Sequence, residues 1–298
     1  MSIYIGSNLV DYDGFNITQI ESTTIEDALL TGTLSEYSNN DITQLGSYCF
    51  YQQYNLETVN CPQVISIGNS AFYSCEKLIT INFSKVIYVG SSAFQSCKSL
   101  TEINFPSCTY VGSSAFAYCY NLITANLPQV GSSSLSYTFA SCSKLVNVVL
   151  NFSIITSLYA TFRNCMSLSH MLSLSQVSYL GNYAFAYCYK LSEVSFPMVQ
   201  TVGLYALQYC STLSHISLPK VSIISGSAFA CCYNLTSLNL NYVTSVPTLS
   251  STAFYSTPIG GYSASTGQYG SIYVPASLYS DFLTASSWSL FSSRIVSI

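Results

Sequence analysis

The sequence predicts a β-rich, or mixed α/β, solenoid in which about ten short coils stack along one axis. A motif of the form Ala-Phe-x-x-Cys-x-x-Leu recurs at intervals of 22 or 23 residues. Hydrophobic residues make up 49% of the 298 residues, yet they form no long uninterrupted apolar run. Only 7% of the residues are charged, whereas an average soluble domain has about 25%. An apolar character spread this evenly is typical of repeat proteins.

Cysteines mark the eight clearest copies of the motif. Their successive spacings are 22, 22, 23, 23, 23, 22 and 22 residues. They are Cys75, Cys97, Cys119, Cys142, Cys165, Cys188, Cys210 and Cys232. Degenerate copies around Phe50 and Phe254 flank this series, so the repeats extend over residues 42–258. Chance does not produce a series of this regularity, and the repeat therefore organises the chain.

Each repeat contains two apolar runs. In the first, Leu100–Phe105, inward Ile103 and Phe105 alternate with outward residues, which predicts a strand with one buried face. In the second, Val86–Val89, the run ends at Gly90, which we expect to adopt a positive φ or to allow a close backbone approach. The Ala-Phe-x-x-Cys segment is too short for a standard helix and is predicted to form one helical or 3₁₀-like turn.

A single repeat cannot fold alone, because about 22 residues with one apolar edge cannot enclose a core. Neighbouring coils must cover that edge. Since stacked parallel strands repeat at about 4.8 Å, ten coils would span about 48 Å. The predicted organisation is an N-terminal cap at 1–41, a solenoid at 42–258, and a loop and cap at 259–298.

The repeat pattern Leu-x-x-Ile-x-Leu/Phe-Pro-x-x-Val-x-x-Ile-Gly-x-x-Ala-Phe-x-x-Cys resembles the BspA-like leucine-rich repeat family of bacterial surface proteins. The resemblance implies a right-handed superhelix of 22–23-residue coils with parallel strands on its concave face. It also implies adhesion or contact with host and matrix molecules. The chain departs from the pattern at Leu135 and Leu158, where other repeats carry glycine. Met1–Tyr4 has no basic or apolar leader character, so no secretory signal is predicted.

The two ends are expected to seal the solenoid. Strands are predicted near Ile3–Val10, and a short helix near 25–31. At the other end, Ser277 is a candidate N-cap for a helical segment. Its apolar residues are Leu278, Phe282, Leu283, Trp288 and Phe291. The stretch from Gly260 to Gly270 is predicted to be a loop.

The repeated cysteines are predicted to be buried thiols that act as small hydrophobic residues. No Cys-x-x-Cys pair is present, so no zinc site is predicted. Cys231 falls at a variable slot that could be exposed, and a vicinal disulfide with Cys232 is a minor alternative. Abundant free thiols favour a reducing or anaerobic setting. A surface location, which the resemblance implies, and an intracellular one both stay open.

Two outward columns follow the predicted strands. The first contains the candidate ligand-binding residues Glu102, Asn147, His170, Glu193 and His215. The second contains Asn60, Asn82, Asn104 and Asn126, which form either an asparagine ladder or a polar binding strip. His170 and His215 are two rungs apart, about 10 Å, so they cannot share a metal ion. A pair between Glu193 and His215 is expected.

Tyrosines cluster near the cysteine slot, where they are either partly buried between coils or form an aromatic binding strip. They are Tyr73, Tyr118, Tyr120, Tyr187, Tyr189, Tyr209 and Tyr233.

The composition excludes several functions. The eight lysines and arginines are scattered, which disfavours nucleic-acid binding, and no apolar stretch is long enough to span a membrane. Phosphate-binding, zinc-protease and serine-hydrolase motifs are absent, so we predict no enzyme, no cofactor and no metal. The predicted function is non-enzymatic binding of a protein or glycan through the repeat surface. The alternative is a structural spacer or virion-type component without a dedicated ligand.

Overall fold

The computed structural model describes residues 3–5, 8–10, 31–131, 134–171, 174–261 and 269–298. The chain forms two compact units, Met1–Asn151 and Phe152–Ile298. Within them it winds as a parallel-strand β-solenoid with about 22 residues per turn, about 11 turns and little helix. The predicted solenoid of stacked coils with parallel strands is therefore confirmed.

The Leu-x-x-Ile-x-Phe run of each coil forms a strand of the front sheet. Inward and outward residues alternate along it, as in Glu102–Asn104, where Ile103 is buried and its neighbours are exposed. In the first unit the front strands are Glu36–Ser38, Thr58–Asn60, Thr80–Asn82, Glu102–Asn104, Thr124–Leu127 and Asn147–Leu150. In the second unit they are His170–Met171, Glu193–Val194, His215–Ser217, Ser237–Asn239, Ser271–Val274 and Ile295–Ser297.

The second apolar run forms short strands of its own, which build further parallel sheets and were not predicted from the sequence. Its strands have two or three residues, too few for a visible alternation. In the first unit they are Gln44–Leu45, Ser66–Ile67, Tyr88–Val89, Tyr110–Val111 and Ser134–Ser136. In the second unit they are Ser157–Tyr159, Tyr179–Leu180, Thr201–Val202, Ile223–Ile224 and Thr248–Leu249.

The repeated glycines allow a close backbone approach between coils. A Cβ atom on Gly90 would lie 2.6 Å from the Asn69 nitrogen and 2.7 Å from the Gly68 carbonyl carbon. Comparable approaches below 3.0 Å occur at Gly68, Gly112, Gly181 and Gly203. None of these glycines has a positive φ, so of the two predicted reasons for glycine the close approach applies.

The Ala-Phe-x-x-Cys segment forms the turn edge of each coil, and its backbone bonds alternate between two directions. The Cys75 N–H donates to the Phe72 carbonyl three residues earlier, at 3.1 Å. The Phe72 N–H instead donates to Ala93 in the next coil, at 2.7 Å. In this coil, Ser70 directly before the segment and Ser74 within it have positive φ values, 52° and 58°. The segment is therefore 3₁₀-like only at alternate residues, because the positive φ values prevent a continuous helical turn.

Phenyl rings stack from coil to coil beneath the turn edge. In the first unit, Phe50, Phe72, Phe94, Phe116 and Phe139 follow one another with ring centroids 5.0–5.6 Å apart. The second unit repeats the arrangement at Phe162–Phe185 and Phe229–Phe254. Each ring covers the apolar face of its neighbour, which is the burial that one repeat cannot achieve alone.

The N-terminal strands agree with the sequence prediction, because Ile3–Ile5 pairs antiparallel with Asn8–Val10. Residues 25–30 of the predicted helix lie outside the described residues, as do residues 262–268 of the predicted loop.

The C-terminal segment is helical in short pieces. A 3₁₀ turn at Ala276–Leu278 precedes an α-helix at Tyr279–Thr284, and a 3₁₀ segment follows at Ser289–Arg294. The predicted N-cap at Ser277 is wrong, because the N-cap of the α-helix is Leu278. Trp288 is fully buried, and its Nε1 donates to the Pro247 carbonyl at 2.6 Å, which secures this segment against the preceding coil.

Candidate functional site

The predicted outward column forms within each unit. In the first unit Glu102 is paired in register with Thr124, and Thr124 with Asn147. In the second unit His170 is paired with Glu193. All of the candidate binding residues are exposed: Glu102, Asn147, His170, Glu193 and His215. The alternation of the front strands thus brings these polar side chains to the surface.

The asparagine column forms a hydrogen-bonded ladder. Asn82 Nδ2 donates to Asn60 Oδ1 at 2.7 Å, and Asn126 Nδ2 donates to Asn104 Oδ1 at 2.9 Å. The ladder predicted from the sequence is confirmed at these two rungs. It is interrupted between Asn82 and Asn104, where no equivalent bond forms.

The front sheet of the first unit is interrupted at the same place. It consists of two three-stranded sheets, and the strands Thr80–Asn82 and Glu102–Asn104 are not paired. On the neighbouring rungs, Ile79 N–H donates to Glu57 at 2.9 Å and Ile123 N–H donates to Thr101 at 2.8 Å. The equivalent bond from Thr101 to the Ile79 carbonyl is missing.

The interruption opens a cleft, because the same two coils remain bonded on their other sides. At the turn edge, Ser99 N–H donates to the Glu76 carbonyl at 3.0 Å. Among the short strands of the second apolar run, Tyr88–Val89 is paired with Tyr110–Val111. The cleft on the front face has a volume of about 420 Å³. It is lined by Ile79, Thr80, Ile81, Phe83, Thr101, Glu102, Asn104 and Phe105.

Two phenylalanines lie at the base of the cleft. Phe83 and Phe105 occupy the inward end of the strand run in these two coils, where neighbouring coils carry Cys61 and Leu127. Their ring centroids are 6.4 Å apart, wider than the 5.0–5.6 Å of the stacked ladder. Both rings are buried, and they form the apolar floor of the cleft. This site was not predicted from the sequence, although two successive phenylalanines at this slot accompany it.

Glu102 supplies the charge at the cleft. Its carboxylate makes no hydrogen bond or ion pair to any residue that the structure describes. By contrast, Glu76 on the turn edge pairs with Lys98 at 2.7 Å. Glu36 and Glu57 also lie on the front of the first unit, where no lysine or arginine falls in or directly before a front strand. The front of this unit is therefore acidic.

The second unit has a comparable interruption between Glu193–Val194 and His215–Ser217. The predicted pair between Glu193 and His215 is wrong. The two side chains lie on strands that are not paired with each other, and they form no ion pair. Instead, His215 Nδ1 lies 3.1 Å from the Ser214 hydroxyl, and His170 Nδ1 lies 3.0 Å from the Ser169 hydroxyl. Across the described ranges, no three His, Cys, Asp or Glu side chains form a group that could hold a metal ion.

The cysteines are free and buried, as predicted for the repeated slot. Cys231 is also buried, at 7% exposure, so the expectation of an exposed slot there is wrong. No vicinal disulfide joins it to Cys232. Desolvation raises the pKa of Cys61 to about 11 and that of Cys119 to about 12, which keeps these thiols protonated and unreactive at neutral pH.

The tyrosines of the second unit pack against one another along the turn edge. Tyr187 and Tyr209 stack with centroids 5.0 Å apart, and the ring of Tyr189 meets Tyr209 edge-on at 6.3 Å. Tyr189 and Tyr233 are exposed, whereas Tyr187 and Tyr209 are half-buried. Partial burial between coils and an exposed aromatic strip were predicted as alternatives. The cluster shows both, because the stacked ring faces cover each other while other rings stay exposed.

No helix in the described part of the chain is long and apolar enough to cross a membrane.

The comparison that decides the family is with the BspA type leucine rich repeat region, whose model matches residues 23–146 and 133–259 in six copies. The chain belongs to the BspA-type leucine-rich repeat family. Proteins of this family are typically surface-associated in bacteria, and leucine-rich repeats typically mediate protein interactions or adhesion. The family is generally non-catalytic. No curated protein matches the chain.

Solved structures resemble this BspA-type chain to different degrees. A leucine rich cell surface protein from Faecalibacterium prausnitzii superposes with a TM-score of 0.52 at 20% identity, covering 93% of this chain and 89% of that one. A leucine-rich repeat protein from Bacteroides ovatus has a TM-score of 0.35 at 18% identity, covering 99% and 91%. An internalin from Listeria monocytogenes has a TM-score of 0.38 at 14% identity, covering 95% and 89%.

Proposed function

We propose that this BspA-type chain is a non-enzymatic binding protein that takes part in adhesion at a cell surface and holds a protein or glycan ligand on its front face. The observation that supports the proposal is the exposed polar column on the front strands, next to an open cleft in the front of the first unit. Repeat solenoids present extended surfaces of this kind for binding.

In each unit, exposed residues of its outward column would contact a ligand. They are Glu102, Asn147, His170, Glu193 and His215. Their exposure means that substitutions there remove ligand contacts without disturbing the core, since exposed residues contribute little to stability. This property separates a binding role from a structural one.

The experiment presents the purified chain to a panel of immobilised matrix proteins and printed glycans. Variants Glu102→Ala and His215→Ala should capture less of the bound member of the panel, at an unchanged melting temperature. Lys77→Ala on the turn edge is the matched control and should capture as much as the parent chain. Absence of capture across the panel, or capture that is indifferent to both front-face variants, would contradict the proposal and favour a spacer.

A further inference from the structure

We infer that the cleft around Glu102 accepts an arginine side chain of a protein partner. The inference rests on the proposed function, since it assigns the chemistry of one contact on the same front face. It follows from the shape of the cleft, its hydrogen-bonding groups and the charge of the surrounding surface.

The size and floor of the cleft suit a long side chain with a polar end. Its volume of about 420 Å³ exceeds that of one water molecule many times over. Phe83 and Phe105 close its floor, and Ile79 at its rim is 54% exposed. The methylene groups of an arginine would cover this apolar surface while the charged end stays near water, as long cationic side chains commonly do.

The cleft presents an excess of unsatisfied acceptors. The Glu102 carboxylate has no partner among the described residues, and the Ile79 carbonyl lacks the inter-coil bond that its counterparts accept. The Asn104 carbonyl likewise receives no bond from Phe83, although the corresponding bonds form at the neighbouring rungs, Cys61 to Asn82 at 3.2 Å and Phe105 to Asn126 at 3.0 Å. A guanidinium group carries five N–H donors and no acceptor, so it matches this set better than an ammonium group does.

Charge complementarity supports a cationic occupant. Among the described residues of the first unit, Glu36, Glu57 and Glu102 are exposed in or directly before front strands, whereas its four lysines all lie outside these strands. Within the first unit, Glu36 is paired in register with Thr58, and Thr58 with Thr80, which lines the cleft with Glu102. An acidic surface of this kind attracts basic partners and repels acidic ones.

The test is a titration of the whole chain with Nα-acetyl-arginine methylamide, observed through ¹³C-labelled isoleucine δ1 methyl groups. We expect Ile79 and Ile81 to shift while Ile123, outside the cleft, stays unchanged. The citrulline analogue, which lacks the charge, should produce no shift. Glu102→Gln should weaken the binding about tenfold, the scale of one lost hydrogen bond to a charged group. Glu76→Gln removes a carboxylate from the turn edge instead and should leave the titration unchanged.

Three results would overturn the inference: no shift at Ile79 and Ile81, equal shifts with citrulline, or tighter binding of the corresponding lysine derivative. The outcomes remain separable from those of the proposed function. If ligand capture depends on the front face but the arginine probe gives no response, only the assignment of the cleft is contradicted. If the probe gives a response that depends on Glu102 but the panel shows no capture, only the adhesion proposal is contradicted.

Discussion

The thiol of Cys97 donates a hydrogen bond to the carbonyl oxygen of Phe72, one coil earlier, at 3.1 Å. The same carbonyl accepts the N–H of Cys75, so it joins its own coil to the next. Corresponding thiol bonds of 3.0–3.3 Å are made by Cys75, Cys119, Cys142, Cys188, Cys210 and Cys232. The cysteine column is therefore a ladder of donors as well as a packing element, because a thiol is both a small hydrophobic group and a weak donor.

Replacing Cys97 with Ala should destabilise the chain by about 1–2 kcal/mol, since it removes a buried donor and leaves a small cavity. Ser keeps a donor and should cost less than Val, which fills the space without donating. Urea unfolding of the three variants measures the difference. Stability of the Val variant equal to that of the parent chain would show that the thiol acts through packing alone.

Alkaline pH should weaken the fold. The pKa of Cys119 rises from the ordinary 9.0 to about 12 because burial disfavours the thiolate. Between these two pKa values the folded state binds more protons than the unfolded state. The contribution of Cys119 to the free energy of unfolding is therefore fully present below about pH 9 and is lost as the pH rises further. Urea unfolding at pH 7, 9 and 10.5 should show this decline, and Cys119→Val should reduce it. An equal decline in the variant would assign the effect to other groups.

Gly90 should tolerate no side chain. In Gly90→Ala the new Cβ would lie 2.6 Å from the Asn69 nitrogen, and the backbone of the preceding coil would have to move. We expect a loss of about 3 kcal/mol or more, seen as a lower melting temperature. Gly131→Ala is the matched control, since its nearest atom would be 3.8 Å away. A similar loss in both variants would show that the close approach at Gly90 is not the cause, because a Gly-to-Ala change alone should stabilise the folded chain slightly.

Ser96 should be stabilised by replacement with glycine. Its φ of 63° lies in the left-handed region, which costs an L-residue about 1–2 kcal/mol, against about 0.5–1 kcal/mol for the greater entropy loss of glycine. Ser96→Gly should therefore gain up to about 1 kcal/mol in urea unfolding, whereas the β-branched Ser96→Val should lose stability. Ser99→Gly, at a position without positive φ, is the control and should not gain. The opposite order would show that the serine side chain is required.

Much of the architecture was readable from the repeat itself. The alternation around Ile103 predicted the front strands, and the column of cysteines predicted a buried thiol row. Both follow from the apolar pattern of one coil repeated along the chain, because each copy must be buried in the same way. The two-residue strands, such as Tyr88–Val89, were missed, since so short a segment has no period to detect.

The candidate site was likewise predicted only in part from the sequence. The sequence alone determined that Glu102 faces outward and that its column is polar, because the side-chain alternation of a strand depends only on local backbone geometry. Only the tertiary structure decided that the strands on either side of the cleft separate, and that Glu193 and His215 do not pair. These outcomes depend on how side chains pack between neighbouring coils, and on which neighbour each polar group reaches. Such distances arise from packing between residues that are 22 positions apart.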